Sequence, residues 1–290
     1  MSVQIEHWLR SATEQLQASS ESARLDSECL LAHVLGQNRT WLYTWSDRGL
    51  TAEQLSAADA LLQRRMAGEP VAYLCGQRDF WSLTLDVNPS TLIPRGDTET
   101  LIEWALELPL LATANVLDLG TGTGAIALAL ASEQPSWHVQ GVDFQAEAVA
   151  LARTNAAKNN LSRVTFEQSD WFSALAVGAG RFDLIVSNPP YVDAEDMDAL
   201  PDEYRHEPEM GLAAGDDGLD LVRRMLAEAA DYLTEDGVLV IEVGNSMVHV
   251  MAEWPEVDFE WVKFRHGGHG VFVLSAEQCR HFQSLFAESL

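Results

Sequence analysis

Residues 188–191 read Asn-Pro-Pro-Tyr and follow, one residue on, the apolar run Leu184-Ile185-Val186. Consecutive prolines fix the backbone and remove two N–H donors, so carbonyls of this turn can face a ligand without competition. The Asn188 side-chain oxygen and the Pro189 carbonyl make a pair of acceptors for the two N–H bonds of a planar amide or amine. Such a nitrogen is a poor nucleophile, because its lone pair is delocalised. Holding both hydrogens aims that lone pair, and alignment of this kind can contribute on the order of 7 kcal/mol at the favourable limit. The same acceptors meet the charge that develops on the attacking nitrogen. Pro190 and Tyr191 complete the candidate substrate pocket, since an aromatic ring can stack on an amide plane. The catalytic candidates are therefore Asn188, Pro189 and Tyr191.

The electrophile must sit next to this turn. A second apolar stretch, Asn115 to Leu119, runs into the loop Gly120-Thr121-Gly122-Thr123-Gly124 and then into a helical pattern. A glycine loop between strand and helix lets a ligand approach the backbone, and the helix N-terminus favours an anionic group. No Lys-Ser/Thr follows, which excludes a P-loop. About twenty residues on, Asp143 ends the next strand and can accept both ribose hydroxyls of an adenosine. Asp170 and Trp171 follow a third strand and offer an acceptor for the adenine amine and an aromatic face for its ring. Dinucleotide and S-adenosylmethionine sites share the loop and the acid; the Asn-Pro-Pro-Tyr turn favours S-adenosylmethionine, a methyl donor. No metal is required.

The elements that position these groups alternate from about residue 97 onward. Strands are expected at Asn115–Leu119, His138–Val142, Val164–Gln168, Phe182–Ser187 and Val238–Val243, with two more near Phe259–Phe264 and Val271–Leu274. Helices fall between them, at Ala125–Ser132, up to Asn159, and at Leu219–Leu233. The pattern predicts an α/β fold, a doubly wound Rossmann-like sheet of parallel strands with ligands at their carboxyl ends. Residues 1–70 read instead as a small bundle of helices, with Trp8, Leu9, Ala12 and Leu16 on one face, Gly36 ending the second helix, and Thr51 capping a third with Gln54 in capping-box spacing. Residues 71–96, rich in β-formers from Val71 and Tyr73 to Val87, predict a hairpin linker, and residues 97–290 form the third segment.

The 290 residues carry a formal net charge of -26. A surface this acidic repels phosphate backbones and suits a basic partner, or serves solubility. Residues 192–260 alone hold 20 Asp or Glu against three Arg. Cys29, Cys75 and Cys279 are scattered and odd in number, which excludes a disulfide framework or zinc cluster and fits a cytoplasmic chain. No signal core and no apolar run long enough for a membrane span occurs. His266 and His269 flank Gly267-Gly268; a turn explains them better than a metal pair.

At these residues the chain resembles the HemK/PrmC family of glutamine methyltransferases, which methylate the Gly-Gly-Gln glutamine of class-1 peptide chain release factors. The resemblance runs from about residue 5 to 191. It rests on Asp26–Leu31, Gly68-Glu69-Pro70, Ile93-Pro94-Arg95, Asp97-Thr98-Glu99, the Gly120–Gly124 loop, Asp143, Asp170-Trp171-Phe172 and Asn188–Tyr191. It implies a class I methyltransferase sheet and S-adenosylmethionine as cofactor. It implies cofactor contacts from Gly120, Thr121, Gly122, Thr123, Gly124, Asp143, Asp170, Trp171 and Asn188, a glutamine held by Asn188, Pro189, Pro190 and Tyr191, and a release-factor partner docked by the N-terminal helices. Gly96 stands where the family usually has proline, which implies a looser loop around Arg95–Glu99.

From Tyr191 to Glu277 the chain is similar instead to the sister PrmB family, which methylates a glutamine of a large-subunit ribosomal protein. The stretches concerned are Val192–Met197, Glu203–Pro208, Glu242–Met247 and Gly267–Phe272. A ribosomal-protein substrate is thus the alternative to a release factor. Asn-Pro-Pro-Tyr also serves enzymes that methylate the adenine amine of DNA, but those need a basic groove, which this charge balance denies. A non-catalytic interaction protein would predict damage to the glycine loop or to Asn188, and both are intact.

Overall fold

The computed structural model describes residues 2–176, 182–264 and 268–290. His266 and Gly267, half of the turn expected there, lie outside the described residues. The chain divides into two compact units, one of residues 1–77 with 201–206, the other of residues 78–200 with 207–290.

The first unit holds α1 (Ile5–Leu16), α2 (Ala23–Leu35), α3 (Arg39–Thr44), α4 (Ala52–Met66) and α5 (Val71–Cys75). Trp8, Leu9, Ala12 and Leu16 face its core together with Leu30, Leu31 and Leu62. Thr51 and Gln54 form the expected capping box at α4, and Gly36 ends α2 in the left-handed conformation. Two acids of α2 turn inward. Asp26 pairs with Arg65 at 2.7 Å, both nearly buried. Glu28 accepts from Arg39 at 2.7 Å and from Tyr43 at 2.5 Å. Burial would raise its pKa, but the bonds from Tyr43, Arg39 and Arg24 outweigh that and hold it below the ordinary value. Val71 and Tyr73, expected in a strand, lie in α5. Pro70 sets the helix start and Gly76 stops it after five residues, so local capping overrides β-propensity.

The second unit begins within the hairpin of β1 (Gln77–Phe80) and β2 (Leu83–Asp86) and continues with α6 (Glu99–Glu107). The main sheet follows: β3 (Asn115–Leu119), α7 (Ala125–Glu133), β4 (His138–Asp143), α8 (Ala146–Lys158), β5 (Thr165–Gln168), β6 (Phe182–Ser187), α9 (Ala194–Ala199), α10 (Asp220–Ala229), β7 (Leu233–Glu242), α11 (Met247–Glu253), β8 (Glu260–Trp261), β9 (Val271–Ser275) and α12 (Ala276–Glu288). The order is β5-β4-β3-β6-β7-β9-β8. The first five of these are parallel, but β9 runs antiparallel to β7 and β8 antiparallel to β9, which corrects the all-parallel expectation. The reversal reflects a direct return from α11 through β8 to β9, with no helical crossover of the kind a parallel pair needs. The helix expected over Leu219–Leu233 stops at Ala229, and Leu233 opens β7 instead, beside Phe182 of β6.

Alternation along the central strands sends side chains to two cores. Val116, Leu184, Val186 and Val240 pack under α6 and α7 with Ile126 and Leu130. Leu117, Leu119, Ile185, Leu239 and Ile241 pack under α10 and α12 with Val222, Leu226 and Phe286. Strands buried on both faces are the stiffest part of such a unit, and β3, β4 and β6 all end at one edge.

Candidate active site

At that edge lies a cavity of about 410 Å³ lined by Gly120, Gly122, Asp143, Asp170, Trp171, Asn188 and Pro190 among others. The glycine loop is held from below. Thr121 N–H donates to Val142 O at 2.9 Å, and the Thr121 hydroxyl donates to Asp118 Oδ2 at 2.6 Å. Gly122 has φ 54°, a conformation that costs other residues roughly 1–2 kcal/mol, and it points its N–H at Asp143 Oδ2, 2.8 Å away. Gln145 N–H binds the other oxygen at 2.9 Å. Burial raises the Asp143 pKa, and these two N–H bonds oppose it. The buried Asp118 is pushed up to about 7, by burial first, against the bonds from Thr121 and Ala127 and with Asp143 adding repulsion.

Trp171 closes another side. Its ring lies 3.6 Å from where a side chain on Gly120 would begin. Its own φ is 51°, a strained value for tryptophan. Ser169 holds it there, since its hydroxyl donates to Trp171 O at 2.7 Å and accepts from Ala174 N–H at 3.0 Å. Asp170 is paired with Arg224 of α10 at 3.1 Å.

Asn188 emerges from β6, where the buried Ser187 hydroxyl donates to Leu119 O at 2.7 Å and ties the two strand ends together. Its Nδ2 donates to Thr98 Oγ1 at 2.8 Å. Its Oδ1 is buried with no hydrogen-bond partner among the described residues. Pro189 and Tyr191 stand outside the 410 Å³ cavity. Tyr191 O accepts from the Ser246 hydroxyl at 2.6 Å, and its ring lies against Gly244, which has φ 46°. A Cβ there would come within 2.6 Å of the ring.

The structure thus gathers Gly120, Gly122, Asp143, Asp170, Trp171, Asn188 and Pro190 around one cavity. Thr121, Thr123 and Gly124 do not line it; they are turned into the support beneath, with both threonines buried. Sequence reasoning missed several supports. Asn155, fully buried, donates to Thr123 O at 2.9 Å and Asp86 O at 3.0 Å and accepts from Asp86 N–H at 2.7 Å, so the hairpin is part of the site's frame. Glu207 accepts from Ile93 N–H at 2.9 Å and pairs with Arg95, fixing the loop before Gly96. The acidic segment folds back through the bonds Val192 N–H to Leu212 O and Ala214 N–H to Val192 O, which brings Pro208, Met210 and Gly211 onto the cavity wall. Glu242, at the end of β7, faces Thr98 and Asn188. Only the buried acid at a strand's carboxyl end, in Ile241-Glu242-Val243, signals it from sequence.

A seven-stranded sheet with a glycine loop, a buried acid at the next strand's end and an Asn-Pro-Pro-Tyr turn at one edge is the layout of the S-adenosylmethionine-dependent methyltransferase class. The comparisons agree. Residues 111–279 match the methyltransferase domain family, and residues 7–76 match the PrmC N-terminal domain family. The chain is 50% identical to the release factor glutamine methyltransferase of Shewanella oneidensis over 253 residues, 87% of this chain and 88% of that one. It is 48% identical to the Escherichia coli enzyme of the same name, over 83% of this chain and 86% of that one. The Salmonella typhimurium enzyme is 43% identical over 96% of this chain and 94% of its own. The hMettl16 catalytic domain shares the fold, with TM-score 0.54 at 17% identity over 78% of this chain and 80% of that one. The chain belongs to the release factor glutamine methyltransferase family. Among the described residues no helix is long and apolar enough to cross a membrane.

Proposed function

We propose that this chain methylates the side-chain amide of the Gly-Gly-Gln glutamine in a class-1 peptide chain release factor, and that Asn188 orients that amide. The observation that carries the reading is the buried, unpartnered Oδ1 of Asn188, a residue that lines the cavity. Such an atom is costly unless a ligand donor meets it.

S-adenosylmethionine supplies a sulfonium methyl group when bound. Gly120 and Gly122 would pass its backbone-facing groups, Asp143 would take its ribose hydroxyls on the lone pairs left free by Gly122 and Gln145, and Trp171 would cover the adenine. Asn188 Oδ1 and the Pro189 carbonyl then accept one N–H each from the glutamine amide, which aims its nitrogen at the methyl. As the bond from nitrogen to the methyl carbon forms and the methyl–sulfur bond breaks, positive charge on the nitrogen is met by these two oxygens. One of the two hydrogens leaves as a proton to solvent, and N-methylglutamine and the neutral thioether are the products. Tyr191, backed by Gly244, fixes the amide plane.

A release factor is preferred to a ribosomal protein because the Salmonella typhimurium release-factor enzyme aligns along 96% of this chain, including the part after Tyr191 that is similar to PrmB. The cysteines Cys29, Cys75 and Cys279, none of them in a disulfide, suit a cytoplasmic site of action. The test is a competition: tritiated cofactor with purified release factor and large-subunit ribosomal proteins at equal concentration. Label on the Gly-Gly-Gln glutamine is expected; preferential label on a ribosomal protein overturns the substrate reading.

A further inference from the structure

We propose that Glu242 is a positioning residue that, through Thr98, decides which end of the Asn188 amide faces the substrate. The proposal rests on the reading that Asn188 Oδ1 accepts from the glutamine. An asparagine amide has an acceptor end and a donor end of nearly the same shape. Shape alone therefore does not choose between them, and with the NH2 outward the residue would set donor against donor.

The selection comes from behind. Asn188 Nδ2 donates to Thr98 Oγ1 at 2.8 Å, which leaves the Thr98 hydroxyl with its own proton to place. The Glu242 carboxyl, only 3% exposed, faces both Thr98 and Asn188. An ionised carboxylate can only accept. It therefore draws the hydroxyl proton and the amide hydrogens inward and leaves the Asn188 oxygen as the end not spent on Thr98, in keeping with the Nδ2–Thr98 bond and the unpartnered Oδ1. A neutral group in its place could donate to Thr98, and the whole chain of bonds could then run in reverse. Glu242 cannot drift, because it pairs with Val271 of β9 and Val243 N–H donates to Gly270 O at 2.6 Å.

The pKa of Glu242 is pushed up to about 7, by burial first, with Asp97 adding to the rise and Thr98 and Asn188 opposing it. Asp97 comes from the turn Gly96–Thr98, Asn188 from the end of β6, and the β9 neighbours Gly270 and Val271 bring no charge. Protonation as pH falls through this range would make the carboxyl a donor and release the constraint.

The test measures single-turnover methyl transfer to a release factor from about pH 5.5 to about pH 8.5, with cofactor affinity by calorimetry and KM for the release factor. Glu242→Gln and Thr98→Val should each lower the rate by roughly 30- to 100-fold, with cofactor Kd and KM within about threefold. The wild-type rate should fall on the acid side of about pH 7, and Glu242→Gln should abolish that limb. Thr98→Ser, which keeps the hydroxyl, should restore most of the rate. A wild-type rate in Glu242→Gln or in Thr98→Val, or an acid limb that survives Glu242→Gln, overturns the proposal. Should Glu242→Gln fail to fold, the contrast of Thr98→Val with Thr98→Ser decides it. Asn188→Ala separates the two levels. A full rate there overturns the reading of Asn188 itself; a slow Asn188→Ala beside a fast Thr98→Val overturns only the role given to Glu242.

Discussion

Replacing Gly244 by alanine should slow methyl transfer while leaving the cofactor in place. The new methyl carbon would lie 2.6 Å and 2.8 Å from two carbons of the Tyr191 ring, against the roughly 3.5–4 Å that carbon contacts require. Gly244 cannot retreat, because Gly270 packs on its backbone, so the ring must move by about 1 Å. Misplacement of that size at a reacting centre can cost about 10²-fold in rate. The φ of 46° adds a stability cost of roughly 1–2 kcal/mol for a non-glycine residue. Gly244 is not among the cavity-lining residues, so cofactor affinity should stay within about threefold. The assay is single-turnover transfer of a tritiated methyl group to a release factor, with calorimetric cofactor titration and urea unfolding on the same preparations. A rate within about threefold of wild type, or a loss of cofactor affinity that accounts for the whole decrease, would refute the view that Gly244 acts through Tyr191.

Asp143→Ala should weaken S-adenosylmethionine binding at least about 30-fold with the fold retained, as a lost charged acceptor for hydroxyls implies; unchanged calorimetric affinity would contradict the assignment. Asn155→Leu should cost about 2–4 kcal/mol in urea unfolding, because it strands Asp86 N–H and the Asp86 and Thr123 carbonyls; a change under about 0.5 kcal/mol would show that water replaces it freely. Asp118 is raised in the folded state to about 7, so the folded chain holds a proton that the unfolded chain releases near its ordinary value. That contribution to stability is full below about pH 4 and is lost as pH rises towards about 7. Asp118→Asn should flatten this slope, and identical pH dependence of unfolding in the two proteins would exclude it.

The sequence declares what has a local cause. Apolar runs and the capping pair Thr51–Gln54 mark their elements, and Gly120–Gly124, Asp143 and Asn188 sit at strand ends where the fold class puts ligands. Supports that act across the chain leave little local trace. Asn155 is an ordinary asparagine in a helix of alanines until Asp86 and Thr123 arrive from other segments. Glu207 and Glu242 vanish among the acids of residues 192–260, where a charge run reads as a solvated face. The reversal of β9 is equally silent, because a buried run such as Val271-Phe272-Val273-Leu274 looks the same in either direction. Val71 and Tyr73 misled because a short capped turn of helix can hold β-formers.

Asn155 also bears on whether the glycine loop could be moved to another protein. Its one side chain spends both amide ends on the backbone of two distant segments, Asp86 and Thr123, and touches no group that does chemistry. The loop's register is thus written in α8 and β2 as much as in its own glycines. A graft of residues 118–124 alone into a foreign strand-turn-helix would carry the ligand-facing backbone without the brace that sets its height above the sheet. A working transplant would have to bring the stretch Leu83–Asp86 and the face of α8 around Asn155 as one piece.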